Sequence, residues 1–123
     1  MHQTYYKTKK ASNELGLWDS KFEASYAQEL SFRLKAKDIK NWEAQKTLDL
    51  IVNDYLVCTY KIDFIIYHND GTLEYVETKG FPTNVWRLKW KLFESLYTKP
   101  GVKLTVVFQG AGSVPRPRKI KKI

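Results

Sequence analysis

A continuous β-rich run over residues 56–67 constrains the fold more than any other part of this sequence. Its β-branched and aromatic side chains favour an extended strand. Asn69-Asp70-Gly71 follows it, a tripeptide typical of a hairpin turn. Residues 73–79 form a further predicted strand, which Gly80-Phe81-Pro82 ends. The centre of the chain is therefore predicted to be an antiparallel hairpin against which the remaining elements pack.

Four further elements are predicted on either side of this hairpin. They are a helix over residues 20–37, a strand over residues 47–52, a helix from Thr83 or Asn84 to residue 97, and a strand over residues 102–108. Asp19 and Ser20 are both candidate caps of the first helix, and Asn53-Asp54 is the predicted turn between the first two strands. The order α-β-β-β-α-β predicts an α/β (α+β) fold with a mixed sheet flanked by helices.

The length of 123 residues predicts one folded domain, since a chain of this size buries one core and has no room for a second catalytic unit. We place that domain at residues 18–109. Residues 1–17 are polar and basic, and we expect them to form a flexible N-terminal arm. Residues 110–123 are rich in Gly, Pro and basic side chains, which predicts a flexible basic C-terminal tail.

The chain carries 21 Lys and Arg against 13 Asp and Glu, a formal net charge of +8. An excess of positive charge favours a nucleic-acid partner, or an anionic membrane surface, although basic tails also aid solubility without any partner. Cys58 is the single cysteine, which excludes an intramolecular disulfide and a cysteine-based zinc site. No apolar run approaches the roughly 20 residues that span a bilayer, and the first ten residues lack the apolar segment of a signal peptide. The expected compartment is the cytoplasm.

Three charged residues in the predicted strands point to chemistry. Asp63 interrupts an apolar strand, where a charge is costly unless it is paired or binds a metal ion. Glu77 and Lys79 are two positions apart on the next strand and so project from the same face. The hairpin can bring Asp63 beside Glu77, although the sequence does not fix the register. Two adjacent carboxylates suit a hard cation such as Mg²⁺, and a neighbouring amine can act on water or on the charge of a phosphate.

The spacing of Asp63 and Glu77-Thr78-Lys79 resembles the signature of the PD-(D/E)XK, or restriction-endonuclease-like, nuclease superfamily, with Ile62 at the position of the proline. The chain also resembles small phage-encoded nucleases of that superfamily from about residue 18 to residue 108. The segments that carry this resemblance are Asp19-Ser20-Lys21-Phe22-Glu23-Ala24, Glu43-Ala44-Gln45, Asp63-Phe64, Lys79-Gly80, and Thr83 with Lys89. The resemblance implies a restriction-endonuclease-like core and metal-dependent cleavage of DNA.

The resemblance further implies a set of ligands. Asp63 and Glu77 would hold Mg²⁺, with Mn²⁺ able to substitute, and the carbonyl of Thr78 would be a further ligand. An acidic residue on the first helix is typical of Holliday-junction resolvases in this superfamily, and Glu23 fits that role. Two interpretations of Glu23 stay open, because Ser20-x-x-Glu23 also has the spacing of a capping box, which needs no metal.

Several other side chains are candidates for contact with DNA. They are Gln45, Thr83, Arg87, Lys89 and Lys91 in the domain, and Arg116, Arg118 and Lys119 in the tail. Each has a structural alternative: Lys89 can extend along the apolar arc of its helix to water, Arg87 and Lys91 can be solvated, and Gln45 can serve the fold. The tail cations would bind the phosphate backbone without regard to sequence.

The second predicted helix carries four aromatic residues, Trp86, Trp90, Phe93 and Tyr97, which are more typical of a core or a dimer face than of base stacking. We expect a homodimer formed partly through this helix, and the resolvase resemblance also implies two active sites. His2 and His68 are too isolated to suggest a zinc site.

The primary hypothesis is a Mg²⁺-dependent deoxyribonuclease that cuts duplex or branched DNA, with Holliday junctions or replication forks as the favoured substrates. Glu23, Asp63, Glu77 and Lys79 are its predicted catalytic residues. The first alternative is a non-catalytic DNA-binding module on the same fold, and a second is a basic scaffold that binds another protein. The sequence leaves open the DNA shape, endonuclease against exonuclease action, the position of the cut, the metal used in the cell and the host.

Overall fold

The structure is a computed structural model that describes residues 10–109. Its elements are β1 (Ala11–Asn13), β2 (Gly16–Trp18), α1 (Lys21–Lys35), β3 (Asn41–Val52), β4 (Tyr55–Tyr67), β5 (Leu73–Lys79), α2 (Asn84–Tyr97) and β6 (Val102–Phe108). From α1 onward the order is α-β-β-β-α-β, so the predicted order and the α+β class with a mixed sheet are confirmed. Residues 1–9 and 110–123, which include about half of the predicted arm and all of the predicted tail, lie outside the described residues.

One four-stranded sheet, in the order β3-β4-β5-β6, organises the domain. The β3–β4 and β4–β5 pairs are antiparallel because tight turns join them. At those turns Asn53, Asp54 and Gly71 have positive φ angles of 50°, 67° and 90°, a conformation that Asn, Asp and Gly adopt at low cost. The β5–β6 pair is parallel because the chain crosses over through α2 before it returns to the sheet.

The first sheet strand begins earlier than its sequence predicts. The β-branched pattern starts at Thr47, whereas β3 begins at Asn41. Trp42 and Ala44 lie in this additional part and pack against the buried cluster beneath α1. Pairing with β4 and burial therefore extend the strand through residues of low intrinsic β-propensity.

A small hairpin is formed by β1 and β2. All of it except Trp18 lies in the predicted flexible arm, and Trp18 is the first residue of the predicted domain. Trp18 anchors it in the core, where its ring stacks on Phe64 at 5.6 Å. Asn13 ties it to α1 by donating its side-chain amide to the carbonyl of Ala24 at 3.1 Å. Three-residue strands are too short to show a hydrophobic period, so these contacts, rather than a local pattern, define the hairpin.

The two helices cover opposite faces of the sheet. Ala27 and Leu30 of α1 are fully buried against one face, and Trp90 and Phe93 of α2 are buried against the other. Ala27 and Leu30 thus turn one side of α1 towards the sheet, and the aromatic residues of α2 belong to the core. No helix within residues 10–109 is both long enough and apolar enough to cross a membrane.

At Asp63, strand β4 changes the helix against which its alternate side chains pack. Tyr60 and Ile62 pack in the cluster under α2, whereas Phe64 and Ile66 pack in the cluster under α1. All four stand at alternate positions, which in a regular strand would share one face. The change of face puts Asp63 where the two layers meet.

Candidate functional site

Asp63 lies where the pairing of β4 with β5 ends. The ladder between these strands runs from Tyr67 opposite Leu73 to Phe64 opposite Val76 and stops one residue before Asp63. Asp63 Oδ2 then accepts hydrogen bonds from the Thr78 amide at 2.8 Å and from the Thr78 hydroxyl at 2.7 Å. The side chain of Asp63 therefore closes the gap that the backbone leaves between the two strands.

Glu77 is buried on β5, with only 3% of its surface exposed. Its Oε2 atom accepts hydrogen bonds from the Tyr60 hydroxyl at 2.6 Å and from the Trp86 indole at 2.7 Å. Its Oε1 atom is also buried, and no hydrogen-bond partner for it occurs within residues 10–109. A buried carboxyl oxygen without a protein partner is unusual and indicates that a water molecule or an ion satisfies it.

The carboxyl groups of Asp63 and Glu77 meet across the two strands. The pKa of Glu77 is raised to about 8, first by burial, then by the charge of Asp63 and by the hydrogen bond that a protonated Glu77 can donate to Asp63. The Tyr60 hydroxyl and the Lys79 ammonium act in the opposite direction and lower this pKa. A pair of this type holds either a shared proton or a cation.

Lys79 extends from the same face of β5 as Glu77. Its Nζ atom lies 3.9 Å from Glu77 Oε2 and 5.2 Å from the centre of the Trp86 ring. About a quarter of the side chain is exposed, so the amine stands between the buried carboxyl pair and solvent. A ligand that reaches the pair from solvent on that side would meet the amine.

Glu23 approaches the same place from the first turn of α1. Ser20 caps the helix by accepting a hydrogen bond from the Glu23 amide at 3.0 Å, so of the two candidate caps it is Ser20 that is used. Glu23 itself is 2% exposed. Its pKa is raised to about 7, because burial and, to a smaller degree, the charge of Asp63 raise it by more than the hydrogen bond from Gln45 lowers it.

Gln45 connects Glu23 to the strands. The β3–β4 ladder has a gap between Ala44 and Lys46, where Gln45 would face Asp63. Gln45 has a φ of 55°, a left-handed backbone conformation that residues other than glycine rarely adopt. Its side-chain amide donates to Glu23 Oε1 at 3.2 Å and to the carbonyl of Leu17 at 3.2 Å. The strained backbone thus aims this amide at Glu23.

The acidic residues do not form a closed metal cage. Across the described part of the chain, no three carboxylate, imidazole or thiolate side chains stand close enough together to hold a metal ion. The Asp63–Glu77 pair fits a different arrangement, since Mg²⁺ is commonly held by one or two carboxylates together with water and phosphate oxygens. The buried Glu77 oxygen without a partner is the observation that favours a cation there. Thr78 holds Asp63, and the predicted role of its carbonyl stays a prediction.

The predicted DNA-contact residues occupy several places. Thr83 caps α2 by accepting from the Trp86 amide at 3.1 Å. Lys89 donates to the carbonyl of Thr59 at 3.2 Å, which fixes its amine on β4. Arg87 and Lys91 are exposed on α2. Arg116, Arg118 and Lys119 lie outside the described residues.

Tyr60 was not among the predicted site residues, and Trp86 was predicted to belong to a core or a dimer face. Both nevertheless donate hydrogen bonds to Glu77. Two signals could have identified these residues. A buried Tyr or Trp carries a polar group that needs a hydrogen-bond partner, and the nearest buried acceptor is a carboxylate. His68 instead contacts Glu74, at 2.7 Å, and Thr105 donates to the same carboxylate at 2.6 Å.

Fold and site together define an α+β protein in which two adjacent strands bring a buried and a partly buried carboxyl group together beside a lysine. The chain belongs to DUF1064, a family described as a protein of unknown function, whose model matches residues 3–111. No curated protein and no solved structure matches the chain. The function must therefore be argued from the geometry.

Proposed function

We propose that this protein is a metal-dependent DNA endonuclease of the PD-(D/E)XK type, with Mg²⁺ as its cofactor and Mn²⁺ as a substitute. The observation that carries this proposal is the meeting of Asp63 and Glu77, where a buried Glu77 oxygen has no hydrogen-bond partner in the described residues and Lys79 stands at the solvent side. Oxygen ligands in this number suit a small divalent cation that completes its shell with water and phosphate.

The chain's own residues have distinct tasks in this proposal. Asp63 and Glu77 hold the cation, and the carbonyl of Thr78 is a further candidate ligand. When bound, a divalent cation lowers the pKa of coordinated water and offsets charge on the phosphate. Lys79 orients or deprotonates the attacking water, or stabilises the charge that develops on the phosphate. Glu23 completes the acidic rim from α1.

Positive charge supports DNA as the substrate. The net charge of the chain is +8, and Arg87 and Lys91 are exposed on α2. Basic side chains neutralise backbone phosphates whatever the base sequence, which suits an enzyme that selects by the shape of the DNA. We propose branched DNA, a Holliday junction or a fork, as the preferred substrate, and the cytoplasm of a phage-infected bacterium as the setting. A homodimer would present two such sites, one for each strand to be cut.

Cleavage of labelled DNA tests the proposal. The full chain is incubated with a four-way junction and with a linear duplex of the same sequence, in Mg²⁺, in Mn²⁺ and in EDTA. We expect cleavage that requires the metal and that falls by at least about a hundredfold in Asp63→Asn, Glu77→Gln and Lys79→Ala, since each removes charge stabilisation in the transition state.

Matched variants separate chemistry from loss of charge. Glu29→Gln removes an exposed carboxylate from α1 and controls for Glu77→Gln, and Lys35→Ala removes an exposed amine and controls for Lys79→Ala. Both controls should cut like the parent. If Asp63→Asn and Lys79→Ala also cut like the parent, the nuclease assignment is wrong.

A second function, a non-catalytic DNA-binding module, is favoured by one observation. Protein donors already occupy Asp63 Oδ2 and Glu77 Oε2, and the raised pKa of Glu77 is compatible with a proton shared inside the pair. This module would bind DNA without metal, and its affinity would fall steeply with salt. Binding to the junction in EDTA across a salt series, with no cleavage in any metal, would support this function instead.

A further inference from the structure

We infer that Tyr60 and Trp86 are positioning residues for the proposed metal site, because they hold one oxygen of Glu77 and thereby leave its other oxygen for a cation. This inference rests on the proposed function and adds two residues to its machinery. Neither side chain belongs to the acidic and basic motif, and neither would touch the phosphate.

Three short contacts connect these side chains into one unit. The Tyr60 hydroxyl donates to Glu77 Oε2 at 2.6 Å, and the Trp86 indole donates to the same oxygen at 2.7 Å. The indole also lies 3.0 Å from the Tyr60 oxygen. Two donors on one carboxylate oxygen fix the rotation of the carboxylate, so the position of Oε1 is determined as well.

Packing fixes the donors in turn. The Tyr60 ring lies 5.2 Å from Phe93, and the Trp86 ring stacks on Trp90 at 6.0 Å. The donor pair is therefore part of the α2 core and is rigid before any ligand arrives.

Trp86 also reaches the second functional group. Lys79 Nζ lies 5.2 Å from the centre of its ring, within the range of a cation–π contact. Trp86 thus contacts both Glu77 and Lys79, whereas Tyr60 contacts only Glu77 of these two. The two positioning residues should therefore affect different steps: Tyr60 should act on metal binding, and Trp86 on metal binding and on turnover.

The experiment measures Mn²⁺ affinity by isothermal titration calorimetry on the full chain without DNA. Tyr60→Phe and Trp86→Phe each remove a donor but keep an aromatic ring. Loss of a group that orients a metal ligand typically weakens metal binding by about 10–100-fold, and we expect a change of that size. In a Glu77→Gln background the same substitutions should have little further effect, because the carboxylate on which they act is gone.

Matched controls come from two other aromatic residues of the sheet. Tyr75→Phe removes the hydroxyl of a tyrosine that also packs on Phe93. Trp42→Phe removes the indole of a tryptophan that packs on Trp18 and Phe64 in the cluster under α1. Both controls change packing without changing the donors to Glu77, so their Mn²⁺ affinity should equal that of the parent.

The outcomes separate the two proposals. If the parent binds Mn²⁺ through Asp63 and Glu77 but Tyr60→Phe and Trp86→Phe bind it equally well, the positioning inference fails and the metal site stands. If the parent binds no Mn²⁺, or if Asp63→Asn and Glu77→Gln do not weaken binding, both proposals fail. Circular dichroism checks that each variant folds. If only one donor variant folds, its Mn²⁺ affinity and that of its matched control are sufficient to test the positioning inference.

Discussion

Glu77 combines two opposite environments in one side chain. Two donors satisfy Oε2, while Oε1 is buried without a partner in the described residues. A buried carboxylate that is only half satisfied is costly, and protonation or a cation removes the cost. The stability of the protein should therefore depend on pH and on metal in a linked manner.

The first prediction concerns pH in the absence of metal. Glu77 has a pKa of about 8 in the folded protein, against an ordinary value of 4.5. The folded state therefore binds more protons, so the free energy of unfolding should fall as pH rises from about 4.5 to above 8. Glu23, with a pKa of about 7, contributes with the same sign. Urea unfolding in EDTA at a series of pH values measures this slope.

Glu77→Gln should flatten that slope, and Glu29→Gln should leave it as it is. Addition of Mn²⁺ at pH 8 should raise the unfolding midpoint of the parent but not that of Glu77→Gln, since a ligand that binds only the folded state stabilises it. A free energy of unfolding that stays constant or rises between pH 5 and pH 8 in EDTA, in the parent, would contradict the arrangement of the carboxyl pair.

The second prediction concerns the strained backbone at Gln45. Gln45→Ala loses the hydrogen bonds to Glu23 and Leu17 and keeps the positive φ, so it should destabilise the protein by about 1–3 kcal/mol. Gln45→Gly loses the same bonds but relieves the strain, worth about 1 kcal/mol, and should be the more stable of the two. Urea unfolding of both variants measures the order, and an alanine variant as stable as the glycine variant would show that the strain is absent.

At this scale the sequence allows a partial prediction of the site. Asp63, Glu77 and Lys79 follow from a charge within an apolar strand and from strand alternation. The contacts of Tyr60 and Trp86 do not follow, because they depend on the change of face in β4 at Asp63, which brings Tyr60 under α2. A local pattern holds no information about which helix covers which half of a strand.

Among the elements, the two helix starts show how local signals and the site are connected. Ser20 caps α1 two residues after the buried Trp18, and Glu23 lies in the first turn. Thr83 caps α2, and Trp86 lies in its first turn. In both cases the cap fixes the helix turn that delivers a side chain to the carboxyl pair.

The third prediction concerns this cap on α2. Thr83→Ala removes the acceptor for the Trp86 amide and should lower the free energy of unfolding by about 1 kcal/mol, whereas Thr83→Ser should retain most of it. Thermal unfolding measures both. The same variants test the predicted contact of Thr83 with DNA: a loss of DNA affinity without a loss of stability would assign the hydroxyl to DNA instead of the helix.

The bounds of a helix or strand are predictable where the hydrophobic period ends at a residue that caps or breaks the element. The strands β5 and β6 and the helix α2 occur where the sequence predicts them, since Gly, Pro or a cap residue bounds each. The early start of β3 and the β1–β2 hairpin are not predictable in this way, because pairing with β4 and the burial of Trp18 produce them.

For the whole molecule, the unresolved question is how many copies act together. The aromatic residues Trp86, Trp90, Phe93 and Tyr97 of α2 pack in the core, so they do not require a partner. Three apolar residues of the same helix, Val85, Leu88 and Leu96, are exposed and lie on a flank that the core does not cover. A second exposed apolar group, Tyr55, Leu56 and Val57, lies at the tip of the β3–β4 hairpin.

The fourth prediction assigns a dimer contact to α2. Leu88 is 71% exposed and Leu56 is 59% exposed, so Leu88→Glu and Leu56→Glu are matched substitutions on the two groups. A charge buried in an interface without a partner strongly opposes association, so Leu88→Glu should convert a dimer to a monomer and Leu56→Glu should not. Light scattering coupled to size exclusion, over a range of protein concentrations, measures the mass. Monomers from Leu56→Glu alone would move the interface to the hairpin, and a monomeric parent would reject the dimer, in which case one chain would cut one strand of a junction at a time.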